Sequence, residues 1–350
     1  MNWIHKLAME HALTREEWHS FFASLDANAL LELKQQAIHA RRDHYKLDVY
    51  MRGLIEFTNY CKKDCLYCGI RRSNQSVERY RLTEDQILTC CDQGYWLGYR
   101  TFVLQGGEDP YFTEDRIVSL VKQIKSTYPD CALTLSIGEW PRSAYEAFYS
   151  AGADRYLLRH EAASPSLYAS LHEGEGNEDR LHSLQLLKEV GFQVGAGFMV
   201  GAPGQTQDDL IDDLLFLQKL KPHMVGIGPF LPQSDTPLAK AEPGTLEMTC
   251  LLLSVIRLIL PDVLLPATTA LGSVDPRGRE QGLLAGANVV MPNLSPTSVR
   301  ELYALYDGKI CTGDEAAHCR QCIEGRIASA GFRVNMTRGD HSQRRTQHDH

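Results

Sequence analysis

Short apolar runs alternate with longer amphipathic segments along most of this 350-residue chain. The short runs are rich in β-branched and aromatic residues and predict eight strands, at 54–58, 101–105, 132–137, 155–159, 193–199, 224–228, 263–267 and 288–291. Apolar residues at every third or fourth position predict helices at 83–97, 113–127, 142–150, 177–190, 206–220, 245–260, 276–285 and 296–306. The residues before 48 show helical periodicity only, and Thr14 and Glu17 have the spacing of a capping box.

The strand-then-helix units predict a closed (β/α)8 barrel of the TIM type, which typically needs about 250 residues. An open, doubly wound parallel sheet is the alternative, because the same alternation builds both folds. The predicted organisation is an N-terminal helical extension over 1–48, the barrel over 49–306, a cysteine-rich C-terminal segment over 307–335 and a disordered tail over 336–350. In such a barrel the chemistry lies on the loops that follow the C-terminal ends of the strands.

Composition narrows the class of protein. A formal net charge of −8 argues against a nucleic-acid binder that relies on a basic face. No apolar run reaches the length of a membrane span, and the first residues lack the continuous apolar block of a secretory signal. The chain has ten cysteines. Without an export signal these are expected to be thiols or metal ligands in a reducing cytoplasm.

Three cysteines, Cys61, Cys65 and Cys68, directly follow the first predicted strand in a Cx3Cx2C loop. Three thiolates satisfy three irons of a cubane 4Fe–4S cluster and leave the fourth iron open to another ligand. Zinc with a fourth ligand nearby, a disulfide and free thiols are the alternatives. The spacing favours an open-site iron–sulfur cluster at the mouth of the barrel.

Glycines and a carboxylate follow the second predicted strand. Gly106 and Gly107 let backbone groups approach a ligand closely, and Glu108 beside them pairs with an ammonium group. The glycine-rich stretch 195–204 suits a flat ring lying against the backbone, and packing at a crowded barrel position explains it equally well. The Gly106-Gly107-Glu108 sequence alone is a weak signal, since it could form only a tight turn. Its position after a strand and downstream of the Cx3Cx2C loop makes it informative.

Charged residues end the strand predicted at 155–159. Alternation places Arg159 and Glu161 on the same side of the extended chain. Burying such groups unpaired costs several kcal/mol, so partners or a ligand are implied. Arg180 can supply a guanidinium for bidentate pairing with a carboxylate, with a surface salt bridge as the alternative.

Further polar side chains are expected at the barrel mouth, where together they would suit an anionic substrate. Arg52 opens the first predicted strand, Thr268 and Thr269 end the seventh, and Tyr303 and Tyr306 lie near the eighth helix. Each of them alone is compatible with a routine polar or packing role.

A second group of cysteines, Cys311, Cys319 and Cys322, has the spacing Cx7Cx2C and follows the predicted barrel. The spacing favours a second iron–sulfur cluster, of the 2Fe–2S or 4Fe–4S type, over zinc or inert thiols. Its position outside the strand series indicates an accessory site.

These motifs resemble the radical S-adenosylmethionine (SAM) superfamily and, over nearly the whole chain, its HydE-type FeFe-hydrogenase maturases. The likeness rests on the stretches 61–71, 107–111, 138–142, 151–161, 225–230 and 266–270, together with the Cx7Cx2C spacing. It implies that the open iron of the first cluster chelates the amino and carboxylate groups of SAM, and that one electron then cleaves SAM to a 5′-deoxyadenosyl radical. It also implies a cysteine-derived iron carbonyl and cyanide synthon as the substrate, processed toward the di-iron site of hydrogenase.

The resemblance assigns residues to these ligands. It implies that Tyr67 and the backbone near Met199 pack on adenine. The predicted SAM-binding residues are Tyr67, Gln105, Gly106, Gly107, Glu108, Ser136, Glu161, Arg180 and Met199. The predicted substrate-binding residues are Arg52, Thr134, Arg159, Thr268, Thr269, Tyr303 and Tyr306.

The same resemblance implies reduced ferredoxin or flavodoxin as the electron donor, and as partners the other hydrogenase maturases, a tyrosine lyase and a scaffold GTPase. A 3-methylornithine synthase-like mutase and a non-catalytic iron–sulfur carrier are the alternative functions. Two departures from the family pattern stand out: Phe198 replaces a smaller residue, which would reshape the wall of the site, and Gly204 replaces a carboxylate.

Overall fold

The computed structural model describes residues 2–313 and 316–344, without the side chains of 316–319 and 343. The strands are β1 Asp48–Met51, β2 Gly53–Thr58, β3 Thr101–Gly106, β4 Ala132–Ser136, β5 Arg155–Leu157, β6 Gln193–Ala196, β7 Met199–Val200, β8 Met224–Val225, β9 Gly228–Pro229, β10 Val289–Val290 and β11 Arg333–Asn335. The helices are α1 Trp3–Glu10, α2 Arg15–Ala23, α3 Ala27–Tyr45, α4 Glu84–Trp96, α5 Glu114–Thr127, α6 Arg142–Ala151, α7 Pro165–Leu171, α8 Glu178–Val190, α9 Gln207–Leu220, α10 Leu246–Ile259, α11 Thr269–Val274, α12 Gly278–Leu284, α13 Thr297–Arg300 and α14 Ala316–Ser329.

A parallel sheet in the order β2-β3-β4-β5-β6-β8 forms most of the barrel wall. Isolated parallel bridges complete the ring: Met224 pairs with Leu264, Pro266 with Val289, and Leu54 with Asn293. The chain at 264–266 and 289–293 therefore occupies the seventh and eighth positions, and the predicted TIM-type barrel is confirmed. The open-sheet alternative is wrong because β2 and β8 are joined through these bridges.

Several predicted elements are shorter than the sequence patterns indicate. The segment at 193–199 divides into β6 and β7, and the segment at 224–228 divides into β8 and β9. The helix predicted at 296–306 ends at Arg300, and the chain beyond it crosses the barrel mouth without regular structure. Strand boundaries shift because pairing with neighbouring strands, not local propensity, decides where a strand ends.

The N-terminal extension consists of α1, α2 and α3, and α3 packs against α10 on the outside of the barrel. The capping box at the start of α2 is present, with Thr14 and Glu17 satisfying each other's backbone groups. Trp18 on α2 is fully buried in the apolar core shared with the barrel helices. In the described part of the chain, no helix combines the length and apolarity that crossing a bilayer requires.

The disordered tail predicted for 336–350 is wrong for residues 336–344. This segment covers the N-terminal ends of the barrel strands, where Asp340 is 5% exposed. Its carboxylate pairs with Arg155 at 2.5 Å and accepts a hydrogen bond from Gln193 at 2.7 Å. Residues 345–350 lie outside the described residues. The polar sequence of this segment predicted disorder, but its polar groups form hydrogen bonds and ion pairs with residues far away in the sequence.

Candidate active site

The cluster loop, residues 59–72, follows β2 and is held by hydrogen bonds rather than by regular secondary structure. The backbone N–H of Lys62 donates to the carbonyl of Glu108, and that of Leu66 donates to the carbonyl of Leu171, both at 2.9 Å. The guanidinium of Arg79 donates to four carbonyl groups of this region, including that of Asn59 at 2.6 Å. These contacts orient the loop independently of any bound metal.

Cys61, Cys65 and Cys68 are all half-buried and line the same cavity. Burial raises the pKa of Cys65 to about 12 and also raises the pKa of Cys61 and of Cys68, so their thiolates need a nearby cation. Among the described residues no three potential ligands converge as they would on a single metal ion. Three thiolates match three irons of a 4Fe–4S cluster, whereas a structural zinc site takes four protein ligands.

The cavity has a volume of about 360 Å³ and lies at the C-terminal ends of the strands. Its size is in the range of small-molecule sites, about 300–1,000 Å³. The predicted site residues that line it are Cys61, Cys65, Cys68, Tyr67, Gln105, Gly106, Gly107, Glu108, Ser136, Glu161, Arg180, Met199, Arg159, Thr268, Thr269, Tyr303 and Tyr306. Sequence reasoning thus identified most of one continuous surface.

Gly107 brings the end of β3 against the cluster loop. A Cβ atom at this position would lie 2.2 Å from the carbonyl oxygen of Tyr60 and 2.8 Å from Cβ of Cys61. Glycine is therefore required here by close packing. The backbone N–H of Glu108, one residue further on, donates to Sγ of Cys61 at 3.4 Å. The glycine turn thus places both a hydrogen-bond donor and a carboxylate beside the first thiol.

Arg180 lies between two carboxylates at one end of the cavity. Its Nε is 2.9 Å from Oε1 of Glu139, and its Nη2 is 3.6 Å from Oε1 of Glu108. Burial raises the pKa of Glu108, and the nearby Arg180 opposes that shift. The surface-salt-bridge alternative for Arg180 is wrong, because this side chain is only 10% exposed. Sequence reasoning did not identify Glu139, although it lies in the quoted stretch 138–142.

Arg159 and Glu161 form an ion pair on the cavity wall, with Nη2 and Oε2 at 3.2 Å. Glu161 has a left-handed backbone conformation with φ 63°, which is uncommon for a residue with a side chain. Nε of Arg159 is buried and has no hydrogen-bond partner among the described residues, whereas Oε2 of Glu161 is occupied by the ion pair with Arg159. Arg159 and Glu161 both line the cavity, and the unpaired Nε of Arg159 is a donor that a ligand there can use.

An apolar shelf lies beside the cluster loop. Met199, Phe230 and Leu171 form a small buried cluster, against which Tyr67 packs. The hydroxyl of Tyr67 lies 3.4 Å from Nε2 of His172, whose Nδ1 donates to a backbone carbonyl and so leaves Nε2 as the acceptor. Such a shelf has the flat, apolar character that suits an aromatic ring.

Phe198 does not reshape this wall. It is fully buried in the core between the strands and the helices, 5.8 Å from the ring of His160, and is not among the lining residues. The expectation that this large side chain would alter the site is therefore wrong, because neighbouring residues of an extended chain point to opposite sides.

Thr268, Thr269, Tyr303 and Tyr306 also line the cavity. The hydroxyl of Thr268 is buried without a hydrogen-bond partner among the described residues. Sequence reasoning missed three charged residues in the same lining, Glu56, Lys63 and Lys309. Glu56 and Lys309 form an ion pair at 2.7 Å. No short motif signals this pair, because the two residues are 253 positions apart.

Arg52 and Thr134 do not line the cavity. Arg52 precedes β2 and therefore lies at the N-terminal end of the barrel, where Nη2 donates to the carbonyl of Gly339 at 3.2 Å. The prediction that Arg52 lies at the mouth is wrong, because a residue that opens a parallel strand belongs to the opposite end. Thr134 is fully buried inside the barrel, on the same side of β4 as Ser136 but one step deeper.

Of the accessory cysteines, Cys311 and Cys322 do not line this cavity. Cys311 accepts a hydrogen bond from Nη1 of Arg279 at 3.6 Å, and Nη2 of Arg279 donates to Thr269 at 3.2 Å. Cys322 is exposed on α14. The side chain of Cys319 lies outside the described residues, so the predicted second cluster stays a prediction.

Comparisons with known proteins agree with this geometry. The model of the radical SAM superfamily matches residues 55–217. The FeFe hydrogenase maturase subunit HydE of Thermotoga maritima is 49% identical over 291 residues, 83% of each chain. The 3-methylornithine synthase of Methanosarcina acetivorans is 30% identical over 287 residues, 81% of each chain. The crystal structure of a methylornithine synthase has a TM-score of 0.83 at 27% identity, covering 95% of this chain and 97% of that one.

The identity to the maturase exceeds the identity to the synthase over almost the same length. The matched region contains the Cx3Cx2C loop, and the cavity behind it carries the residues that the family resemblance implies. This chain therefore belongs to the radical SAM superfamily of enzymes and, within it, to the HydE family of FeFe-hydrogenase maturases.

Proposed function

We propose that this protein reductively cleaves SAM at a 4Fe–4S cluster and acts on a cysteine-derived iron carbonyl and cyanide synthon during assembly of the hydrogenase di-iron site. The observation that carries the proposal is that three thiols, a buried arginine–carboxylate group and an apolar shelf line one cavity. A cluster carrier needs the thiols alone. The additional groups support an enzyme that binds a charged ligand with an aromatic ring.

Cys61, Cys65 and Cys68 would hold the cluster, which when bound supplies the electron for cleavage of the sulfonium C–S bond. The protein's own part is to bind and orient SAM. The carboxylate of Glu108 would accept the methionyl ammonium, and Arg180 keeps that carboxylate in place at 3.6 Å. Glu161 would contribute a second carboxylate to the cavity wall. Met199 and Tyr67 would pack on adenine.

The part of the cavity lined by Thr268, Thr269, Tyr303 and Tyr306 would receive the substrate. An anionic, metal-bound synthon needs cations or oriented donors in a closed site. Arg159 and Thr268 each have a buried donor atom without a partner among the described residues. Tyr303 and Tyr306 complete this wall. Arg159 also contacts Glu161, so it adjoins a residue that would bind SAM.

Reduced ferredoxin or flavodoxin would deliver the electron, and the other hydrogenase maturases, a tyrosine lyase and a scaffold GTPase, would be partners. A cytoplasmic location is proposed because free thiols and an oxygen-sensitive cluster need a reducing compartment. A second cluster on Cys311, Cys319 and Cys322 belongs to the same proposal. The hydrogen bond from Arg279 shows that Cys311 lies near a cation suited to a thiolate.

Anaerobic reconstitution followed by an assay for 5′-deoxyadenosine tests the proposal. The parent protein should form 5′-deoxyadenosine from SAM, Cys65→Ser should not, and Cys250→Ala should retain the activity because Cys250 is buried on α10, outside the cavity. Full activity of Cys65→Ser would overturn the cluster assignment. An intact cluster without any cleavage of SAM would favour the carrier.

The synthase relative and the matching fold give one alternative function a specific basis. An incubation with SAM, a reductant and the common amino acids, assayed for 3-methylornithine, distinguishes it. Formation of 3-methylornithine at the rate of 5′-deoxyadenosine would replace the maturase proposal. Restoration of hydrogenase activity in cells that lack their own HydE would support the maturase.

A further inference from the structure

The strap, residues 301–310, follows α13 and crosses the mouth of the cavity without regular helix or strand. Tyr303, Leu305, Tyr306 and Lys309 of this segment line the cavity. The strap is tied to the rest of the mouth at several points. The N–H of Asp307 donates to the carbonyl of Pro232 at 3.1 Å. The strap is therefore one wall of the site, assembled from chain outside the barrel strands.

The strap lies directly against the cluster loop. The N–H of Gly69, which follows the last cysteine of the loop, donates to the carbonyl of Leu305 at 3.0 Å. A Cβ atom at Gly69 would lie 2.0 Å from the carbonyl oxygen of Ala304. Nδ2 of Asn59 also donates to the carbonyl of Leu302 at 2.8 Å. Any movement of the strap must therefore break contacts with the loop that would hold the cluster.

Lys309 connects the far end of the strap to the first barrel strand. Its Nζ lies 2.7 Å from Oε1 and 2.9 Å from Oε2 of Glu56, and 2.9 Å from the carbonyl of Tyr303. The side chains of Lys309 and Glu56 are 11% and 2% exposed. Nδ2 of Asn293 donates to Glu56 at 2.7 Å. Glu56 is thus held within the barrel, and Lys309 is the member of the pair that belongs to the strap.

The contacts of Lys309 indicate its role. An ammonium has three protons, and three acceptors already surround this one. No donor remains for a substrate, although Lys309 lines the cavity. At the same time, an ion pair shielded from water is strong, and removal of one partner leaves an uncompensated buried charge. Lys309 therefore holds the strap and does not bind the substrate.

We propose that the Glu56–Lys309 ion pair is a latch that holds the strap closed and thereby positions Tyr303 and Tyr306 over the substrate half of the cavity. Lys309 and Glu56 are positioning residues, because they act through the two tyrosines. This inference rests on the proposed function in assigning the cavity to SAM and substrate, while closure of the strap itself depends only on the contacts described above.

Hydrogen exchange of the anaerobically reconstituted enzyme tests the latch. In Lys309→Met and in Glu56→Gln, the amides of Asp307 and Gly69, which form hydrogen bonds across the edge of the strap, should exchange about tenfold to a hundredfold faster. Lys125→Met is the matched control, since Lys125 also contacts one carboxylate, that of Asp154, and one backbone carbonyl, but outside the cavity. It should leave both amides protected.

Two further measurements separate positioning from general stability. The double variant should exchange no faster than the faster single variant, because both substitutions break one interaction. SAM affinity should stay within about threefold of the parent value, while hydrogenase maturation in complemented cells falls about tenfold or more. Unchanged strap exchange in both single variants, additive effects in the double variant, or equal opening in Lys125→Met would overturn the latch. Failure of the parent enzyme to cleave SAM would instead refute the proposed function.

Discussion

Asp340 is predicted to be a major source of stability, although it lies in a polar C-terminal segment. Its carboxylate is 5% exposed and contacts Arg155, Arg338 and Gln193. Arg155 is itself 2% exposed, so Asp340→Asn would leave a buried guanidinium without its counter-charge. Asparagine nearly preserves the size and shape of the side chain. The substitution therefore tests the charge and not the packing.

The expected loss can be estimated from this geometry. Removing one partner of a buried ion pair typically costs about 3–5 kcal/mol. Unfolding entropies near 2.1 cal/mol/K per residue give about 0.7 kcal/mol/K for 350 residues. The melting temperature should therefore fall by about 4–7 °C. Arg333→Met is the control, because Arg333 is 70% exposed in its pair with Asp48 and such pairs contribute about 0–1 kcal/mol.

Thermal unfolding followed by circular dichroism under anaerobic conditions measures both variants. Asp340 lies at the barrel end opposite the cavity, so Asp340→Asn should bind SAM as the parent does at temperatures below its transition. A decrease of less than about 1 °C, equal to that of Arg333→Met, would refute the reasoning. It would show that the buried carboxylate of Asp340 does not stabilise the folded protein in solution.

Arg159→Met is expected to leave SAM affinity within about threefold of the parent value but to lower hydrogenase maturation about tenfold to a hundredfold, since one desolvated charge-assisted contact with the substrate is lost. A loss of both SAM affinity and maturation would place Arg159 in the SAM site. Cys319→Ala combined with Cys322→Ala should lower total iron and preserve SAM cleavage, and loss of cleavage with the first cluster intact would contradict an accessory role. Stability should fall as the pH drops below about 4, the ordinary pKa of an aspartate. Burial alone would raise the pKa of Asp340, but Arg155 and Arg338 outweigh it and lower that pKa. The stabilisation is therefore present at neutral pH and is lost on acidification, and Asp340→Asn should show a flatter acid limb in urea titrations.

Local sequence patterns predicted the barrel and the end of the barrel at which the cavity lies. Alternation of apolar runs and amphipathic segments predicts the strand–helix units, and strand direction predicts that Cys61, Gly107 and Glu161 lie at one end of the barrel. Such features are accessible from sequence because periodicity reports which face of an element is buried. The capping box at Thr14 was predictable for the same reason, since both of its partners lie within one helical turn.

The predictions for Arg52 and Phe198 were wrong because the sequence pattern does not show where in the barrel a residue lies. Arg52 and Arg159 both flank strands, yet they lie at opposite ends of the barrel. Phe198 was expected in the site, but its neighbours along an extended chain take that position and it points into the core. Whether a side chain faces a ligand depends on the direction of its strand and on its position in the alternation, which residue type alone does not specify.

The sequence by itself determined the barrel, the cluster loop and most of the residues around one cavity, because each is encoded by neighbours a few positions apart. Only the tertiary structure decided the role of the C-terminal segment and of the strap. Asp340 meets Arg155 across 185 positions and Lys309 meets Glu56 across 253. A charged side chain looks the same in sequence whether it is solvated or paired in the interior, and the difference depends on a partner that folding alone brings into contact.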